Sequence, residues 1–429
     1  MKKGSLMAWL PVFVFLVLFI GFGAVTGDFY LMPAYVGFFV ALAVAFCQNP
    51  KMKINEKMSV AARGSGEENI MVMCLIFLLA GAFSSSVSAA GGSISAVNFG
   101  LSILPPNMAV VGIFLIGCLI SISMGTSVGT IVALTPIAVG ISDKASIPIA
   151  LCVGAVICGA MFGDNLSMIS DTTIAATRTQ ECAMNDKFKE NFKIVLPAAI
   201  VTLIIFFAMT FNASYQVEGD LSYDLLRIAP YALVLITALL GVNVFVVLTA
   251  GTVFSLAVGM FYGDFGFMDI FTIMGNGMSG MFEIAILSIV VGAVFAMVRE
   301  NGGIDYALGK IKNSIKTKKG AELGIAAIAS IADISTANNT VAIVIAGPIA
   351  KEISTEYGIT SKRSASLLDI FASVFQGILP YSAQVLTAAV AAGITPLETL
   401  PYLYYPMLMA VSAICFILFT KEKQPNVAK

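Results

Sequence analysis

Residues 36–46 read VGFFVALAVAF and residues 250–260 read AGTVFSLAVGM, with Gly, Leu, Ala and Val in the same register. The two stretches lie inside apolar runs, Phe29–Cys47 and Val244–Tyr262, each close to the roughly 20 residues a helix needs to cross a bilayer core. The same pairing continues outward. Gly81-Ala82 precedes Gly91-Gly92 by ten residues, as Gly292-Ala293 precedes Gly302-Gly303. Ala8-Trp9-Leu10-Pro11 opens the first run and Arg227-Ile228-Ala229-Pro230 opens its partner; Thr130 matches Thr340 and Ser170 matches Ser382. The offset stays between 210 and 219 residues throughout. A near-constant offset over most of a chain marks an internal repeat.

Composition fixes the solvent. Of 429 residues 58% are hydrophobic and 11% charged, with a mean hydropathy of +0.93. A soluble domain carries about 25% charged residues, so this chain cannot cover a solvated surface. Ala8–Thr26, Ile194–Asn212 and Pro401–Thr420 are further runs of spanning length, and Ala8–Thr26 is read as a first span and not as a cleaved leader. The net charge of −1 gives no reason to expect nucleic acid. There is no histidine, which excludes His-dependent base catalysis and HExxH zinc sites. Gly125-Thr126-Ser127-Val128-Gly129 matches the GxSxG elbow of hydrolases, but no triad can form without His. No phosphate-binding loop is present. The chain is read as no enzyme, with no cofactor, and its seven cysteines as small apolar residues.

Lys and Arg near membrane spans are retained in the cytoplasm. With the amino terminus inside, all but Arg227, Lys351, Lys362 and Arg363 of the 24 basic residues fall on inside segments. This requires the runs 146–178 and 364–392 to begin and end on one side, as paired or re-entrant segments. Ten simple crossings remain and both termini are cytoplasmic, in the cell membrane. Counterpart spans then run in opposite directions. The domain organisation expected is a first inverted repeat over 1–212, an extracytoplasmic linker over 213–224, and a second inverted repeat over 225–429 with a short tail. The fold class is an all-α polytopic membrane protein of two inverted-topology repeats, an architecture of secondary transporters.

Two runs are too polar in the middle for plain spans. In 108–141 the interruption is Gly125–Thr130, which holds Thr126, Ser127 and Thr130; in 321–350 it is Asp333–Thr340, with Ser335, Thr336, Asn338 and Asn339. These are read as broken helices, since unwound backbone at membrane depth is tolerated only in protein or at a cavity, where its carbonyls can coordinate a cation. The paired segments carry Gly163–Thr173, reading GDNLSMISDTT, and Gln376–Gln384, reading QGILPYSAQ. Asp, Asn, Ser and Thr supply the oxygens a hard cation such as Na⁺ takes. Asp164 and Asp171 are the candidate Na⁺ and proton exchange pair, with Asn165, Ser167, Ser170, Thr172 and Thr173 shaping the site. Neither carboxylate has an evident cationic partner within the membrane, and Arg178 is the nearest basic residue.

At Gly163–Thr173 the sequence resembles the NhaC-type Na⁺/H⁺ antiporter family, whose signature is close to GDxLSPxSDTT; Met168 stands where the family has Pro. The resemblance runs on through the Gly-Ala and Gly-Gly spans into Ala332–Thr340. It implies a secondary transporter in which each repeat offers a broken helix and a hairpin, exchanging Na⁺ for protons by alternating access. The alternative is coupled transport or exchange of an amino acid or organic acid, of the malate and lactate kind. The partners expected are membrane lipids, a small cation and the proton, with a small organic solute and a homo-oligomer left open.

Overall fold

A computed structural model describes residues 5–26, 32–103, 105–168, 170–211, 220–240, 242–312 and 314–420. Of the expected linker, 213–219 lie outside the described residues, as do Ile169 and the terminal lysines. Among the described residues the regular structure is helical throughout, with no strand. In the first half the helices are α1 (Leu10–Thr26), α2 (Ala34–Cys47), α3 (Ile54–Ser65), α4 (Glu68–Ala89) and α5 (Gly92–Ile103). There follow α6 (Pro106–Met124), α7 (Ser127–Ala145), α8 (Ile149–Leu166), α9 (Asp171–Gln180) and α10 (Met184–Phe211). The second half holds α11 (Leu225–Leu239), α12 (Val244–Tyr262), α13 (Asp269–Ser279), α14 (Phe282–Glu300) and α15 (Gly303–Lys312). It ends with α16 (Lys318–Thr336), α17 (Asn339–Glu356), α18 (Ser361–Gln376), α19 (Ala383–Ala392), α20 (Pro396–Thr399) and α21 (Tyr404–Phe419). Among the described residues six stretches are long and apolar enough to cross a bilayer, or up to eight with two bent helix pairs counted. The chain is a multi-pass membrane protein.

Helix starts recur with one spacing. α16, α17, α18, α19 and α20 each begin 212 residues after α6, α7, α8, α9 and α10. The contacts between halves are reciprocal as well. α4 crosses α13 where a Cβ on Gly81 would stand 2.1 Å from the Gly277 carbonyl oxygen; α14 meets α3 where a Cβ on Gly64 would stand 2.5 Å from that of Gly292. Only glycine lets two backbones approach so closely, the usual device where no hydrophobic force separates helix from lipid. Ser85 Oγ donates to the Ile273 carbonyl (2.8 Å) and Ser65 Oγ to that of Ile289 (3.0 Å), each beside one of these crossings. Between the counterpart helices α4 and α14, Ile70 lies against Gly292, Cys74 against the Ala285 carbonyl, and Gly81 against Met281. The two helices therefore run antiparallel.

The second pair of structural units exchanges the two forms expected of it. α6 and α8 are parallel: Gly117 packs on Gly159, Gly163 on Cys118, and Ser121 Oγ donates to the Ala160 carbonyl (2.6 Å). α7 runs back along α8, joined to it at one end by Ser127–Asp164 and at the other by Ser142 Oγ to the Ile147 carbonyl (2.6 Å). Segment 106–145 is thus a helical hairpin with its tip at Gly125-Thr126, and 149–180 is one long interrupted span of 32 residues. In the second half α16 and α17 form the hairpin, Lys318 Nζ donating to the Gly358 carbonyl (2.7 Å) at its base, while α18 and α19 form the interrupted element. The expected broken helices are hairpins, and the expected paired segments are the broken helices. Polarity in mid-segment marks backbone that leaves the helix; it does not say whether the chain then turns back or goes on.

This exchange moves charges. Gln180 Nε2 donates to the Gly347 carbonyl (2.9 Å), Lys351 pairs with Glu181 (3.3 Å) and Arg363 with Glu190 (3.5 Å), so 351–363 share an end with 178–193. Lys144 donates to Asn98 and to the Asp220 carbonyl (2.5 Å each), at the other end. Lys351, Lys362 and Arg363 are therefore corrected to the basic end and Lys144 to the opposite one. Only Lys144 and Arg227, among the described basic residues, then depart from the bias, which is sharper than the sequence reading made it.

Candidate functional site

The two hairpin tips and the two helix breaks meet inside the bundle. Gly125 closes α6 in the left-handed conformation (φ 68°), and extended Thr126 starts α7, its hydroxyl accepting from the Gly129 amide (3.4 Å). At the second tip Ala337 takes the left-handed position (φ 49°) and extended Asn338 caps α17, accepting from the Val341 amide (3.0 Å). Each tip is thus a two-residue reversal built from one left-handed and one extended residue. An L-residue with a Cβ in the left-handed region costs about 1–2 kcal/mol, so Ala337→Gly raises stability by about 1 kcal/mol. The check is a thermal melt of the purified protein, in which Gly125→Ala moves the midpoint the opposite way.

The first tip lies on the first break. Asp164, 6% exposed in the last turn of α8, receives Ser127 Oγ on one carboxylate oxygen (2.7 Å) and Ser170 Oγ on the other (2.6 Å). Thr172 shares a hydrogen bond with Ser170 (2.9 Å), and Gln384 of α19 donates to Ser127 Oγ (3.0 Å). Asp164, Ser127, Ser170 and Thr172 form one buried cluster of oxygens, drawn from the hairpin, the broken span and, through Gln384, the other half of the chain. Gly163 makes room for it, since a Cβ there would stand 2.5 Å from the Cys118 carbonyl oxygen.

Asn165 turns away into a second network. Its backbone carbonyl accepts from Lys187 Nζ (3.0 Å) and Asn191 Nδ2 (2.8 Å), its side-chain oxygen accepts from Asn191 (2.7 Å), and its amide reaches Ser373 Oγ (3.5 Å). Lys187 Nζ also donates to Thr173 Oγ1 (2.9 Å) and forms an ion pair with Asp369, the two side chains being 1% and 0% exposed. A buried cation therefore stands beside the candidate site, which corrects the expectation that Arg178 is the nearest. Arg178 is exposed.

The remaining predicted residues divide. Asp171 is exposed in the first turn of α9, whereas its expected partner Asp164 is buried; the two do not share one buried setting. Ser167 is buried at the break. Thr130 Oγ1 returns to the Thr126 carbonyl (3.0 Å) and Ser335 Oγ to the Ile331 carbonyl, both spent on their own helices. Thr336 Oγ1 bonds the Ala332 and Asn338 carbonyls (2.9 and 3.0 Å), bracing the second tip. Asp333 and Asn339 are buried at that same tip. Sequence reasoning missed Lys187, Asn191 and Ser373. The usable signal was Lys187 and Asn191, four residues apart on one face of a helix that is apolar from Ile194 on.

The profile of the Na⁺/H⁺ antiporter family matches residues 4–211 and 225–421. The chain belongs to this family. It is 24% identical to the Na⁺/H⁺ antiporter NhaC of Bacillus subtilis over 87% of its own length and 89% of the relative's. It is 22% identical to the malate-2H⁺/Na⁺-lactate antiporter of the same organism, over 97% and 96%. The arginine/ornithine antiporter ArcD of Halobacterium salinarum is 22% identical over 80% and 77%. Together with the helical fold these place the chain among multi-pass secondary transporters.

Proposed function

We propose that the protein exchanges Na⁺ for protons across the cell membrane by alternating access, with Asp164 as the exchanging carboxylate and Ser127, Ser170 and Thr172 as neighbouring oxygen ligands. The observation that carries the reading is the convergence of a hairpin tip and a helix break on one buried carboxylate. Removing a carboxylate from water is costly unless it is paired, protonated or coordinated. One site that can hold either a proton or Na⁺, never both, couples the two fluxes. The oxygen-rich set suits a hard cation. Asp171, exposed at the start of α9, fits as a residue of the access path and less well as a ligand.

The halves 1–212 and 225–429, joined through 213–224, act as inverted repeats in this reading. Antiparallel packing of the counterparts α4 and α14, with reciprocal glycine contacts, supports it. Two near-equivalent halves of opposite orientation give two near-equivalent states open to opposite sides. The basic end is cytoplasmic and both termini lie there. A cavity of about 360 Å³ at this end is lined by Arg63, Glu67, Arg299 and Glu300 and reaches Thr336 and Val341 at the second tip, an inward approach route. In a Cys-free background of intact cells, an impermeant thiol reagent labels Phe267→Cys, which is 65% exposed, and leaves Lys362→Cys unlabelled. The reverse pattern turns the orientation over.

A second reading, exchange of an organic or amino acid, draws on the named relatives and on the two arginines of the inward cavity. Proteoliposomes enclosing a pH-sensitive dye separate the two. Na⁺ alone moves protons in the first reading, and in the second no proton movement occurs until malate, lactate or an amino acid is supplied. The panel also includes Li⁺ and K⁺.

A further inference from the structure

The second hairpin tip has a chemistry the first lacks. Asp333 lies in the last turn of α16 with 0% exposure, and neither carboxylate oxygen has a hydrogen-bond donor among the described residues. Its counterpart 212 positions earlier is Ser121, whose hydroxyl is spent on the Ala160 carbonyl. Conversely, the counterpart of Asp164 is Gln376, also buried. The two carboxylates therefore occupy different positions in the two halves.

Two further buried atoms at this tip are without partners among the described residues: Gln376 Oε1 and Asn339 Nδ2. The orientation of Gln376 is fixed by its own bonds. Its amide nitrogen donates to the Ala337 carbonyl (3.1 Å) and to Gln384 Oε1 (2.6 Å), two acceptors that would face an oxygen if the amide were reversed. The Tyr381 phenol gives its proton to the Ile334 carbonyl (3.1 Å) and has none for Asp333. Three side-chain oxygens, Asp333 Oδ1 and Oδ2 and Gln376 Oε1, are thus left without donors at one helix end. The carbonyl end of α16 adds partial negative charge there. A buried carboxylate with no donor is among the costliest groups a protein can hold unless a proton or a cation neutralises it, and with Gln376 Oε1 beside it, likewise without a donor, a cation meets all three oxygens where a proton serves one.

We infer that the second half carries its own binding site for a monovalent alkali cation, formed by Asp333 and Gln376 at the tip of the α16–α17 hairpin and distinct from the Asp164 cluster. It deepens the transport reading and rests on it: one turnover engages two cation positions, one in each half. Gln384 links them, accepting from Gln376 and donating to Ser127 of the first cluster. Occupancy of either position is therefore felt through one amide at the other.

Equilibrium binding of ²²Na⁺ to the purified full-length protein at fixed pH tests this. Wild type binds two ions per chain, Asp333→Asn one, Asp164→Asn one, and the double variant none. Gln376→Leu weakens the second site by roughly tenfold or more, about 1.4 kcal/mol, while the first site still binds one ion, which also reports that the variant is folded. A wild-type stoichiometry of one, unchanged in Asp333→Asn, overturns the second site and leaves the Asp164 reading standing. Two ions bound by Asp164→Asn, with one bound by Asp333→Asn, removes the Asp164 reading instead.

Discussion

Asp164→Asn abolishes Na⁺-driven proton movement in proteoliposomes while the protein still inserts and folds. The amide keeps the shape of the carboxyl and can still meet Ser127 or Ser170 (2.7 and 2.6 Å in the native cluster), so the local geometry survives. What is lost is the exchangeable charge. An amide can neither take up a proton near neutral pH nor neutralise Na⁺, so neither ion can displace the other. Wild-type transport accordingly shows an apparent Na⁺ affinity that weakens as pH falls, since protons occupy the position that Na⁺ must take. The sign follows from competition alone: a tenfold rise in proton concentration, with the site largely protonated, raises the half-saturating Na⁺ concentration about tenfold, equivalent to 1.4 kcal/mol. Dye quenching against Na⁺ concentration at several pH values measures it. A half-saturation independent of pH, persisting in Asp164→Asn, means that Asp164 is structural.

Much of this molecule was legible in its residues. Charge scarcity and spanning apolar runs gave the membrane class, and the paired motifs anticipated a helix order that the second half repeats, α16 to α20 starting 212 residues after α6 to α10. Ser127, Asp164, Ser170 and Thr172 were picked out one by one, because oxygen-bearing side chains in an apolar run need a reason to be there. Their union was not legible: Ser127 is 37 positions from Asp164, and only the reversal at Gly125-Thr126 brings them together. The hairpins and broken spans were exchanged for a related reason. A Gly-Thr-Ser break looks the same whether the chain returns or continues, and the decision is made by packing such as Gly117 on Gly159. Lys187 was assigned to a cytoplasmic loop because lysine usually belongs there. Its burial depends on Asp369, which lies 182 positions away and has no local signature.

Lys187 and Asp369 carry the other large expected effect. Both side chains are fully buried and they join α10 of the first half to α18 of the second. Removing one member of such a pair strands the other charge, at a cost of about 3–5 kcal/mol. Lys187→Met and Asp369→Leu therefore each lower the thermal midpoint sharply in detergent. The double variant Lys187→Met/Asp369→Leu recovers most of that loss, because two apolar side chains can replace a buried pair without an uncompensated charge. Transport separates stability from positioning. Lys187 also donates to the Asn165 carbonyl and to Thr173, immediately beside Asp164, and Met can supply neither bond. The stable double variant consequently exchanges Na⁺ with a raised half-saturation, as the break at Leu166–Asp171 loses its anchor. Lys187→Arg, which keeps both the charge and the donors, retains more of the native Na⁺ affinity than the double variant does. If the double variant regains stability and native Na⁺ affinity together, the pair only holds the halves in register. If it regains stability alone, Lys187 is the residue that sets the depth and direction of the Asn165 carbonyl, and with it the shape of the cation site.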